Sequence, residues 1–162
     1  VKFNERSMIR LLGDMRAYNY VVIPTHDFDQ VVYKIRPIDF DQQSFEGKLS
    51  VYRPQFFKEN FPIMDLVRAK LNHDSINQYK IEERSIVARR IISSGNRLNK
   101  LLAIMQHDQI TLTSNLERLR NEIYKFTKDK AFLQSKTMGD VMRAALNYVR
   151  FNYEKVNMHD LF

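Results

Sequence analysis

The chain has 162 residues, 44% hydrophobic and 12% aromatic, enough for one folded domain with a sizeable core. It has no cysteine, which excludes disulfides, thiolate catalysis and Cys-based zinc sites, and no apolar run approaches the ~18–20 residues that span a bilayer. The net charge of +7 falls almost wholly after residue 79, whereas acidic residues gather earlier, around Asp27, Asp29, Asp39, Asp41 and Glu46.

Residues 3–12 read either as a short helix capped by Asn4, with Met8, Leu11 and Leu12 on one face, or as an extended entry into a loop at Gly13. Asn19 to Thr25 reads as a strand, because Tyr20, Val21, Val22 and Ile23 favour extended backbone and Pro24 opposes helix. His26 to Gln30 is a polar break. Val31 to Ile35 forms a second strand, limited by Pro37, and the two make a β-hairpin. Gln42 to Pro54 reads as an irregular loop anchored by Phe45 and Tyr52.

From Gln55 onward the pattern is helical. Phe56, Phe57 and Phe61, then Leu66, Val67 and Leu71, suggest one helix or two interrupted near Pro62. Ser75-Ile76-Asn77-Gln78 has a capping-box pattern ahead of a long helix, which Ser93-Ser94-Gly95-Asn96 divides. Ser114 to Glu117 is a second such pattern, and Thr137 to Asp140 resembles a third. Met138, Val141, Met142, Ala145 and Val149 then face inward. The expected fold is mainly α with a small β-hairpin, a single domain over 1–162. Residues 1–54 hold the loop, hairpin and acidic segment, and 55–162 are helical.

The chemistry lies between Gly13 and Asp41. Asn19 opens one strand and Asp39 follows its antiparallel partner, so both fall at the same end of a hairpin whose strands lie ~5 Å apart. An amide oxygen and a carboxylate placed there can share one cation. With phosphate and water oxygens completing an octahedron, that donor set suits Mg²⁺. Asp14 precedes Asn19 in a tight loop and stands nearby, facing a phosphoryl acceptor. The four histidines (His26, His73, His107, His159) are scattered without the i, i+4 spacing of a helical zinc site. Arg84, Arg89, Arg90, Arg97 and Lys100, with Glu82 and Glu83 nearby, read as a solvated helix face or a docking face.

Gly13-Asp14-Met15-Arg16-Ala17-Tyr18-Asn19 followed by a strand, and Ile38-Asp39-Phe40-Asp41 after a second strand, resemble the C-terminal lobe of the protein-kinase-like superfamily. The nearest flavour is its aminoglycoside and small-molecule phosphotransferase branch. The resemblance implies an ATP- and Mg²⁺-dependent phosphotransferase. Asp14 would be its catalytic carboxylate, Asn19 and Asp39 would hold the metal and nucleotide, and Asp41 would lie beside the metal. It also implies a nucleotide and an unidentified phosphate acceptor as partners, and an N-terminal lobe ahead of Val1. That lobe would carry the glycine-rich loop and the nucleotide-gripping Lys, neither of which occurs here, so the isolated chain is expected to be inactive. A cytoplasmic location is expected. The competing readings are a basic helical module that binds nucleic acid or a protein partner, with nucleic acid the less favoured, and a pseudokinase-like scaffold that shares the fold without transferring phosphate.

Overall fold

The computed structural model describes residues 1–155; His159 lies outside the described residues. The chain is mainly α with a small β-hairpin. Its elements run α1 (Lys2–Ile9), β1 (Tyr20–Asp27), β2 (Gln30–Pro37), α2 (Phe61–Lys70), α3 (His73–Ser93), α4 (Asn96–His107), α5 (Thr113–Thr127), α6 (Ala131–Gln134) and α7 (Met138–Asn152). Among the described residues, no helix is long and apolar enough to cross a membrane.

The ambiguous N-terminal segment is a helix, and α1 packs on α3. Its three charged side chains each meet one of opposite sign, with Lys2 lying 2.7 Å from Glu82. Glu5 accepts a hydrogen bond from Arg84 at 2.7 Å, and Arg6 lies 2.9 Å from Glu83. Arg84 and Glu83 are both 5% exposed. The expected solvated face is therefore split: Arg89, Arg90, Arg97 and Lys100 are exposed, whereas Arg84 is part of the interior.

Helices α3, α4, α5 and α7 enclose the larger core, in which Leu102, Leu119, Val141, Met142 and Phe132 are buried. Each such side chain contributes on the order of 1.5–3 kcal/mol by leaving water. Met138, Val141, Met142 and Val149 face inward as their spacing requires. The Thr137 cap forms in full: Thr137 Oγ1 accepts from the Asp140 N–H, and Asp140 accepts from the Thr137 N–H. The break between α3 and α4 falls where expected. Gly95 supplies a φ of +52°, with open space around it, so backbone freedom is its contribution.

Three expected caps do not form. Helix α1 starts at Lys2 with Val1 at its boundary, which leaves Asn4 inside the helix. Helix α3 starts at His73, two residues before Ser75, and the preceding Asn72 takes the capping role, its side chain accepting from the Ser75 N–H at 2.8 Å. Helix α5 starts at Thr113 with Leu112 as its boundary and no side-chain cap, leaving Ser114 inside the helix. The neighbouring polar side chains turn elsewhere: Thr111 and Asn115 both donate to the Phe45 carbonyl and tether the loop that crosses beneath α5.

That loop is more ordered than its composition suggests. Three 3₁₀ turns, Leu49–Tyr52, Pro54–Phe56 and Lys58–Asn60, lead into α2, so Phe56 and Phe57 precede the helix. Pro62 sits in the first turn of α2, where its missing N–H costs nothing, and it interrupts no helix. Tyr52 is fully buried and donates to the Glu46 carbonyl, whereas Phe45 is 39% exposed and anchors through its backbone oxygen.

Candidate phosphate-transfer site

At its tip the hairpin gains two residues on β1 and one on β2, and at its base β2 runs on through Arg36 and Pro37, with Tyr20 opposite Pro37, Asp27 opposite Gln30 and Asn19 just outside the ladder. Pro24 is tolerated because a two-stranded sheet consists of edges only. Beyond the last ladder pair, the Ile38 N–H donates to the Asn19 carbonyl at 3.0 Å. Asn19 and the start of Ile38-Asp39-Phe40-Asp41 therefore lie side by side at the base of the hairpin.

A second, smaller core fixes that base. Phe3, Leu12, Met15 and Tyr20 are buried together, with Ile35 packed against them. Phe3 and Tyr20 meet edge to face at 5.1 Å between ring centroids. The Tyr20 hydroxyl donates to Asn60 Oδ1 at 2.7 Å, while Asn60 Nδ2 donates to the carbonyls of Met15 and Pro54. One buried amide thus ties the loop, the hairpin and the segment before α2 into a single frame.

Within this frame Asp14 adopts a left-handed backbone, φ +54°, a conformation in which Asp is among the better-tolerated residues. Its N–H donates to the Val51 carbonyl at 3.1 Å. The Asn19 amide nitrogen donates to the Asp14 backbone oxygen at 2.7 Å and to Asp14 Oδ2 at 3.3 Å. The nitrogen end of the amide is committed to Asp14, so its oxygen is the end left for a ligand. Asn19 itself is only 8% exposed.

Arg16 Nε donates to Asp14 Oδ1 at 2.7 Å, and a second Arg16 nitrogen donates to Glu59 at 3.0 Å. Its guanidinium also lies 4.8 Å from the Phe57 ring. These bonds to Asp14 and Glu59 raise the Arg16 guanidinium further above its ordinary range. One Asp14 oxygen is thereby held by a cation, while the other faces Asn19 only loosely.

The acidic segment crosses directly over this loop. The Ser44 N–H donates to the Leu11 carbonyl at 2.9 Å, and both residues have positive φ. Gly13 permits the crossing: a Cβ there would stand 2.5 Å from the Gln42 carbonyl oxygen. Asp39 Oδ1 accepts from the Asp41 N–H at 3.1 Å. A side-chain hydrogen bond to Asp39, with the charges of Asp39 and Asp14 close by, raises the Asp41 carboxyl above its usual range. The two carboxylates of the segment are thus near neighbours, and Asp14 is close enough to act on Asp41.

Among the described residues, no group of three or more His, Cys, Asp or Glu side chains is placed to hold a metal ion. The donor set at the hairpin base is of another kind, one amide oxygen and the carboxylates of Asp39 and Asp41. All are hard oxygen donors of the type Mg²⁺ accepts when phosphate oxygens supply its remaining positions. In chemical type, though not as an assembled cluster, these donors would suit such an ion, which would also relieve the repulsion that raises the Asp41 carboxyl.

The sequence singled out Asp14, Asn19, Asp39 and Asp41, and the fold brings all four segments to one place. It did not indicate Arg16, Glu59 or Asn60. Arg16, two residues after Asp14, could have been suspected as its counter-charge. Glu59 and Asn60 lie more than forty residues along the chain and carry no local signal. Comparison with protein-family models, with curated proteins and with solved structures found no match to this chain.

Proposed function

We propose that this chain is the helical lobe of a kinase-like, ATP- and Mg²⁺-dependent phosphotransferase. The observation that carries the reading is the junction at the hairpin base. There Asn19 is hydrogen-bonded through its side chain to Asp14 and through its backbone to Ile38, next to Asp39. That junction puts an acid, an amide and a second carboxylate within one loop crossing.

The division of labour follows from the bonds already made. Asp14, with one oxygen held by Arg16, would present its carboxylate to an acceptor hydroxyl, orient it and take its proton as that oxygen bonds to the γ-phosphorus of ATP and the bridging oxygen departs with ADP. Asn19 and Asp39 would hold Mg²⁺, with Asp41 beside them. Bound there, the ion would screen the charge of a nucleotide's phosphates. Arg16 and Glu59 fix the direction of Asp14, and Asn60 fixes the loop that carries it. Positioning of this kind is the main source of catalysis in phosphoryl transfer.

The test is a calorimetric titration of ATP into the chain with and without Mg²⁺, in the native sequence and in Asp39→Ala. The expected result is weak binding that requires Mg²⁺ and falls at least tenfold in the variant. Equal binding by the two proteins, or binding indifferent to Mg²⁺, would remove Asp39 from the ligand role.

A further inference from the structure

A cavity of about 320 Å³ lies between α3, α4 and α7, beside Arg6 of α1 and Arg10 just after it. This is within the size range of small-ligand sites. Its walls are of two kinds. Leu98, Leu102, Met105 and Met142 make one end apolar, and Arg6, Arg10 and Arg90 line the other.

The three arginines are not equivalent. Arg6 is offset by Glu83 at 2.9 Å. Arg10 and Arg90 have no carboxylate partner among the described residues. Arg10 is exposed as a residue, but partial burial of its guanidinium, together with the neighbouring charges of Arg6 and Arg90, lowers it from its ordinary value. Two unneutralised guanidinium groups therefore stand at one mouth of an apolar cleft. Like charges held this way repel each other, and a dianion between them removes that repulsion. Guanidinium forks also match phosphate oxygens in geometry, two bonds at a time.

We propose that this cleft binds a single-chain amphiphile with a doubly charged head, a phosphate monoester on an apolar tail. The head sits between Arg10 and Arg90, and the tail runs along Leu98 and Met105 toward Met142. Leu101, 55% exposed at the rim, is covered when the tail enters. Gln43 also reaches this mouth, where its side chain donates to the Arg10 carbonyl at 3.2 Å. The site is separate from the Asp14 loop and does not depend on the phosphotransferase reading.

The probe is decyl phosphate at pH 8, below its micelle concentration, titrated calorimetrically into the full chain. Decanol and inorganic phosphate serve as comparisons. Decyl phosphate is expected to bind at least tenfold more tightly than either. The Arg10→Gln/Arg90→Gln double variant, altered at exposed positions, is expected to lose at least tenfold in affinity, and Leu101→Asp to weaken binding as well. Equal binding of decanol or of inorganic phosphate by the native chain would overturn the proposal without recourse to any variant. So would undiminished binding by a folded double variant. Preferential binding of an acidic amphipathic peptide, or self-association of the chain that excludes decyl phosphate, would assign the cleft to a different occupant and overturn it equally.

Discussion

Replacing Arg84 by Ala is expected to lower the stability of the folded chain by about 3–5 kcal/mol, the range for breaking a buried ion pair by removing one partner. Arg84 and Glu5 have side chains 6% and 7% exposed and meet at 2.7 Å. Arg84 also donates to the Lys155 carbonyl at 2.8 Å, which ties the segment after α7 to α3. Truncation leaves the Glu5 carboxylate in the interior without its cation and frees that carbonyl. The effect arises chiefly from the orphaned charge, so an apolar pair should behave differently. Glu5→Leu with Arg84→Met should recover most of the loss, because neither side then carries an unpaired charge. Thermal and urea unfolding of the three proteins check this, with a midpoint for Arg84→Ala roughly 10 °C or more below the native chain. A loss under about 1 kcal/mol would mean that water reaches Glu5 and screens it.

The second large effect is expected at Gly13. An added methyl group would stand 2.5 Å from the Gln42 carbonyl oxygen and 2.9 Å from its Cβ. Neither neighbour is the far end of a flexible side chain, so the crossing segments must move apart. Overpacking of this sort costs about 1–3 kcal/mol. The displacement falls on the contact that keeps Asp39 and Asp41 near Asp14. Gly13→Ala should therefore lose Mg²⁺-dependent ATP binding even at temperatures where circular dichroism shows it folded. A variant that binds as the native chain does would show that the crossing is not needed to assemble the site.

The parts of this structure that were legible in the sequence are those set by local chemistry. The hairpin follows from Tyr20 to Ile23 and Val31 to Ile35, whose side chains favour extended backbone wherever they sit. The α3–α4 break follows from Gly95, and the start of α7 from the reciprocal bonds of Thr137 and Asp140. What escaped was decided by competing partners, some close in the chain and some distant. Ser75 and Ser114 have the residues of a cap, but helix ends are chosen by competition with neighbours. Asn72 won one, and the tether from Thr111 and Asn115 to Phe45 settled the other. Arg84 sits in a run of charged residues that reads as solvated surface, and it is Glu5, 79 positions away, with the Lys155 carbonyl, that holds it in the interior.

The candidate site divides in the same way. Strand pairing made the nearness of the Asn19 and Asp39 segments legible, whereas the crossing at Gly13 brings the Asp41 segment over the Asp14 loop. The frame that aims them was not legible. Asn60 gathers Tyr20, Met15 and Pro54 from three stretches of chain, and Glu59 reaches Arg16 across 43 positions. No periodicity records such contacts.

The central claim is that Asn19, Asp39 and Asp41 offer oxygen donors to one divalent cation beside Asp14. Its most direct test is a titration of the isotope-labelled chain with Mn²⁺, followed by nuclear magnetic resonance. Paramagnetic broadening should begin at residues 19 and 39–41, reach Asp14 next, be reversed by excess Mg²⁺ and disappear in Asp39→Ala. Broadening centred elsewhere, or unchanged in that variant, would contradict the claim.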